Sequence, residues 1–217
     1  MDNLENLEQL PELEFVYSVK SELEKAKYVL STEKKAFYRK NYKGVVTPEG
    51  FSIEDDEPCN EEELRAQIEK EIDQEEASIV TRELKDKIKE IVISLNPILQ
   101  AIDYQIPDKY IIVLTKYGPG GSYHLPNKII LTMTKTKRSH DEILAHELVH
   151  LAIEPLIQKN NTEHWVKERI VDLLMKKAFS NYELQRNPVE AEKISQIFQD
   201  HYPNIDKILE EISKIKS

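Results

Sequence analysis

Residues 146–150 read His-Glu-Leu-Val-His, the pattern H-E-x-x-H. Two histidines four positions apart lie on one face of a helix, about one turn from each other. Two imidazoles so placed can bind one metal ion. Glu147, between them, sits where it can take a proton from a water beside that ion. A third ligand must come from elsewhere, and Glu168 follows His150 by eighteen positions. That separation allows a turn and an antiparallel return, so Glu168 can face the histidines. Two His plus one Glu, with a fourth position left for water, is one form of catalytic zinc site. Asp172, one turn after Glu168, is placed to accept the N–H of a ligand histidine and fix its tautomer. His164 and Glu154 are rival third ligands. Glu154 is weakened because it shares a helix with both histidines and lies next to Pro155. A developing oxyanion needs a further donor. His164 is best placed by periodicity for this catalytic role, and Tyr123, His124 and Tyr182 are alternatives.

This chemistry requires two helices. Ser139 followed three residues later by Glu142 is a capping box just ahead of an apolar run. Ile143, Leu144, Leu148, Leu151 and Ala152 then recur at helical spacing. Pro155 is expected to end this helix. Asn161 or Thr162 is expected to cap the next one, running from Glu163 to about Phe179. Trp165, Val166, Ile170, Leu173 and Leu174 form its apolar stripe, while His164, Glu168 and Asp172 fall on a separate line.

H-E-x-x-H followed after about twenty residues by E-x-x-x-D resembles the gluzincin metallopeptidases, the thermolysin-like clan. The matching residues are His146, Glu147, His150, Glu168 and Asp172. The likeness is greatest to the compact minigluzincins and covers roughly residues 76–180. It implies an α+β, mostly α-helical fold. A small β-sheet would be flanked by a backing helix, a zinc-binding active-site helix and a glutamate helix, with extra N- and C-terminal helices. It also implies one zinc ion per chain, and a strand before the zinc helix that edges the cleft and pairs with an extended substrate.

Composition narrows the rest. The chain has 217 residues and a formal net charge of −10, which argues against nucleic-acid binding. No apolar run reaches the ~18 residues a membrane span needs. The acidic start lacks a secretory pattern, and the single cysteine, Cys59, makes no internal disulfide. These features point to the cytoplasm.

Along the chain, residues 1–43 read as helix, amphipathic and suited to a partner surface, including a second copy in a homodimer. Residues 44–53 read as a short hairpin turning at Pro48-Glu49-Gly50. The acidic run 54–57 reads as a linker, giving an N-terminal regulatory or interaction region over 1–58 and a peptidase domain over 59–217. Cys59 near that boundary is an incidental thiol, or in a sharper reading a switch that blocks the metal. Asn60 caps a long helix that ends at Asn96-Pro97 or breaks near Ser78. Tyr110–Leu114 and Lys128–Met133 are short strands, with a glycine-rich turn from Gly118 between them. Lys135, Lys137 and Arg138 form a solvated basic loop. Two amphipathic helices follow Asn187-Pro188, the first from Val189 and the second around Ile205–Ile212.

Three functions are compatible with this pattern. The first is a zinc metalloendopeptidase acting on extended peptides without nucleic acid or membrane, held latent by its N-terminal region in one form. The second is a metal-binding regulatory or adaptor protein with a latent or inactive site. The third is a helical interaction protein with an inert motif. Glu147 favours the first, because a purely structural metal site has no use for it.

Overall fold

The computed structural model describes residues 10–134, 137–184 and 190–215. The fold is α+β and mostly helical. Among the described residues there are eight helices and one mixed sheet of four strands. None of these helices is long and apolar enough to cross a membrane. The described residues divide into two compact units, one within 11–87 and 109–144, the other within 88–108 and 145–215.

The first unit holds the sheet. β1 (Glu12–Val16) pairs in parallel with β2 (Lys109–Thr115). β3 (Gly121–His124) pairs antiparallel with β4 (Lys128–Thr132), and β4 pairs in parallel with β2. The order is therefore β1-β2-β4-β3. This corrects two expectations. Residues 12–16 are strand, not helix, because Leu13 packs inward while Glu12 and Glu14 point out, an alternation that a helical reading of Leu10 to Val19 hides. β4 lies inside the sheet with partners on both sides, so its backbone groups are already paired. Among the described residues, the outer strands of the sheet are β1 and β3.

α1 (Val19–Val29) begins with a complete capping box between Ser18 and Ser21. α2 is Thr32–Asn41 and α3 is Glu61–Glu71, the latter capped by Asn60. Leu23 and Ala26 of α1 and Leu30 at its C-cap meet Leu64 and Ile68 of α3 and Tyr117 in one cluster. Cys59 packs on its edge, which gives that thiol a place in the packing. So the proposed boundary near residue 58 runs through the interior of one compact unit. Residues 1–9 of the expected N-terminal helix lie outside the described residues. The expected hairpin is only a turn. The Phe51 N–H donates to the Pro48 carbonyl, Gly50 takes φ +82°, and Val46 bridges to Gly118 instead of to a second arm.

Glu22 of α1 is buried beside the end of β2. Its carboxylate accepts from the Thr115 hydroxyl at 2.6 Å and from the Lys116 N–H at 2.8 Å. Burial raises its pKa, and these two donors oppose that rise. At Gly118, φ is +108°, so the backbone favours glycine there, and a Cβ would have to push aside the flexible end of Lys25, whose Cε lies 3.1 Å away.

α4 (Gln74–Ala101) starts after Asp73, whose carboxylate accepts from the Glu76 N–H. The break from α3 is thus at 72–73, not near Ser78. The helix also continues through Pro97. One lost backbone bond and the ring clash cost about 3 kcal/mol. Burying Ile98 and Leu99 beyond it returns roughly 3–6 kcal/mol and outweighs this. The helix closes where Asp103 turns to φ +52° and the Tyr104 N–H reaches the Leu99 carbonyl.

In the second unit, α6 (His164–Ala178) packs on α7 (Ala191–His201), and α7 packs on α8 (Ile205–Ile215). Ile194 and Phe198 face inward from α7, and Ile205, Ile208, Leu209 and Ile212 from α8. Lys135 and residues 185–189, including Asn187-Pro188 and Val189, lie outside the described residues.

Candidate metal centre

α5 (His140–Lys159) carries the H-E-x-x-H residues. It starts as its capping signal predicts, with the Ser139 N–H donating to the Glu142 carboxylate at 3.2 Å. It does not stop at Pro155. It ends at Asn161, which takes φ +46° while the Thr162 N–H bonds to the Ile157 carbonyl and the Asn161 N–H to that of Gln158. This is a Schellman closure with asparagine in the left-handed position. Asn161 therefore ends α5 rather than capping α6, whose N-cap is Glu163.

Every residue from Ile143 to Ile153 is buried. A helix buried all round is normally apolar all round. Here His146, Glu147 and His150 interrupt it, at 6%, 5% and 2% exposure. Polar groups so buried cost free energy unless they are partnered, so their surroundings should explain them.

Those surroundings come largely from α6. His146 Nε2 and His150 Nε2 lie 3.0 Å apart, and Glu168 Oε2 is 3.4 Å from the first and 3.3 Å from the second. These three residues are the group that could hold a metal ion among the described residues. Four-coordinate zinc with bonds of about 2.0–2.1 Å spaces its ligand atoms ~3.3–3.4 Å apart, so the three fit such an ion with little rearrangement. The donor set, two imidazoles and a carboxylate, suits zinc chemically. The rival ligands are engaged elsewhere. Glu154 accepts from Gln158 at 3.1 Å and faces Lys167 Nζ at 3.7 Å. His164 Nδ1 lies 3.8 Å from the other oxygen, Glu168 Oε1, and its side chain is 37% exposed.

Asp172 is fully buried and reaches His146 through an intermediary. The Tyr182 hydroxyl donates to Asp172 Oδ1 at 3.1 Å and lies 2.8 Å from His146 Nδ1. With its hydroxyl so occupied and only 1% of its surface exposed, Tyr182 is a support for His146 rather than an oxyanion donor. Tyr123 and His124 lie on β3, in the unit that carries the sheet. The bridging role of Tyr182 has no sequence signal, since it falls beyond the end of α6 and outside any helical phase.

The site's electrostatics follow from burial. Burial pushes the His150 imidazole down to about 4, against the pull of Glu168. Burial alone would raise Glu168, but its imidazole neighbours, His150 foremost, overcome it and hold the carboxyl well below its usual range. In the unfolded chain His150 takes a proton below its ordinary value of about 6.5. Between about 4 and 6.5 the unfolded state therefore binds more protons, and stability rises with pH. Glu168, its folded pKa depressed, contributes stability above its unfolded value that is lost as pH falls further. Metal-free protein is thus expected to lose stability steadily as pH drops from 7 to 4. Urea midpoints of chelator-treated protein check this, and a flat or rising midpoint would contradict the burial of a neutral His150.

Comparison with protein-family models, curated proteins and solved structures returned no match.

Proposed function

We propose that this protein is a zinc-dependent metalloendopeptidase of gluzincin type, closest in plan to the minigluzincins. The observation that supports it is the convergence of His146, His150 and Glu168 at ligand spacing, with Glu147 buried one residue from the first ligand. A divalent ion bound by these side chains supplies Lewis acidity, polarising a peptide carbonyl and acidifying a water beside it.

The chain's own residues supply the rest. Glu147 takes the proton of the attacking water and delivers it to the leaving amine nitrogen. Glu168 contributes the anionic ligand, with one carboxylate oxygen within 3.4 Å of both imidazole Nε2 atoms. His164, at the N-terminal end of α6 and partly exposed, is the side chain we assign to oxyanion stabilisation. The substrate is a peptide or protein segment in extended form, since backbone recognition asks little of sequence. We place the protein in the cytoplasm, in keeping with one unpaired cysteine and an acidic composition.

The test is metal removal and return. Protein stripped with a chelator should lose hydrolysis of unstructured peptides, and one equivalent of zinc per chain should restore it. Failure to take up zinc after reconstitution would sink the reading. Zinc uptake without hydrolysis of any peptide would instead leave a metal-binding adaptor.

A further inference from the structure

We propose that Tyr182 is a positioning residue that fixes the proton of His146 on Nδ1 and so keeps Nε2 a lone-pair donor. The inference rests on reading His146 as a metal ligand.

It follows from counting donors and acceptors. An aspartate carboxylate can only accept hydrogen bonds. The Tyr182 hydroxyl has one hydrogen, and at 3.1 Å it gives that hydrogen to Asp172 Oδ1. Its oxygen can then only accept at its other contact, His146 Nδ1 at 2.8 Å. That contact closes as a hydrogen bond only if Nδ1 carries the hydrogen. A neutral imidazole has one N–H, so Nε2 is left with a lone pair, facing His150 Nε2 at 3.0 Å and Glu168 Oε2 at 3.4 Å. This is the form a metal requires.

Two features favour this direction. Asp172 is 0% exposed and Tyr182 1%, so bulk water does not compete for the hydroxyl. Tyr182 is also held in place, its N–H bonded to the Phe179 carbonyl at 3.0 Å and its ring within 13° of parallel to that of His146. In water a neutral histidine side chain favours the opposite tautomer, with the hydrogen on Nε2. The Asp172–Tyr182 pair works against that preference. A carboxylate touching the imidazole would do so directly. Here a hydroxyl transmits the carboxylate's demand one group further.

The experiment uses full-length chelator-treated protein with 15N-labelled histidine, and a zinc titration against a chromophoric chelator. In metal-free wild type, His146 should show the Nδ1–H pattern of nitrogen shifts. Tyr182→Phe keeps the ring and removes the relay. It should move His146 toward the Nε2–H form and weaken zinc binding about 10–100-fold, the range typical of lost outer-shell partners. Asp172→Leu, which removes the acceptor and frees the phenol hydrogen for His146 Nδ1, should shift the tautomer the same way and serves if the phenylalanine variant does not fold. An Nε2–H pattern in wild type overturns the proposal, as does an Nδ1–H pattern in either folded variant. If wild type takes up no zinc, the metal reading falls, while the metal-free tautomer still decides the role of Tyr182.

Discussion

Glu147→Gln is expected to lower peptide hydrolysis by about 10²–10⁴-fold, the usual worth of a general acid–base group, while zinc affinity stays within about twofold of wild type. The substitution preserves shape and removes only the ability to accept a proton. The two histidines and Glu168 meet through their own atoms, none of which belongs to Glu147. Glu147 is at 5% exposure within eleven consecutive buried positions of α5. The thermal midpoint of the variant separates a loss of chemistry from a loss of fold. Steady-state kcat/KM on an unstructured peptide, with zinc content measured on the same sample, is the check. Equal cleavage by variant and wild type would remove Glu147 from the chemistry.

Glu168→Ala should have a comparable effect by another route. It deletes the anionic ligand and leaves two imidazoles facing each other at 3.0 Å. Zinc affinity should fall by more than the ~10–100-fold that follows loss of an outer-shell partner, and hydrolysis should disappear at zinc concentrations that saturate wild type. The metal-free variant should also lose the acid-dependent stability contributed by the carboxylate, because the group whose pKa the histidines depress is absent. Glu168→Gln separates the two effects, since it keeps the bulk but not the charge. Wild-type zinc affinity in the alanine variant would show that the third ligand lies elsewhere.

The centre was readable because its parts are local or periodic. Ser139 and Glu142 mark the start of α5, and the four-residue steps 146–150 and 168–172 fix relative direction on each helix. Helix ends were harder. Pro97 and Pro155 read as stops, yet both lie inside helices, and the true ends are Asp103 and Asn161 in left-handed conformations. Proline stops a helix only when nothing beyond it gains by continuing, and that gain is tertiary. β1 was missed for a similar reason. Glu12–Val16 is too short to show its period against the helical spacing on either side, and its strand character comes from β2, a distant partner. Tyr182 could be named as a candidate, but not as a bridge, because a loop residue carries no phase from which direction follows.

The parallel pairing of β1 with β2 has a consequence for synthesis. Glu14 and Lys109, ion-paired across the two strands, are separated by 95 positions. At roughly 5–20 residues per second, the first strand leaves the ribosome about 5–20 s before its neighbour exists. During that interval its backbone has no sheet to join. Glu12 and Glu14 place charge on alternate positions of the waiting segment, which discourages association with other nascent chains. The sheet therefore closes late, after its edge strand has waited for β2 to be made.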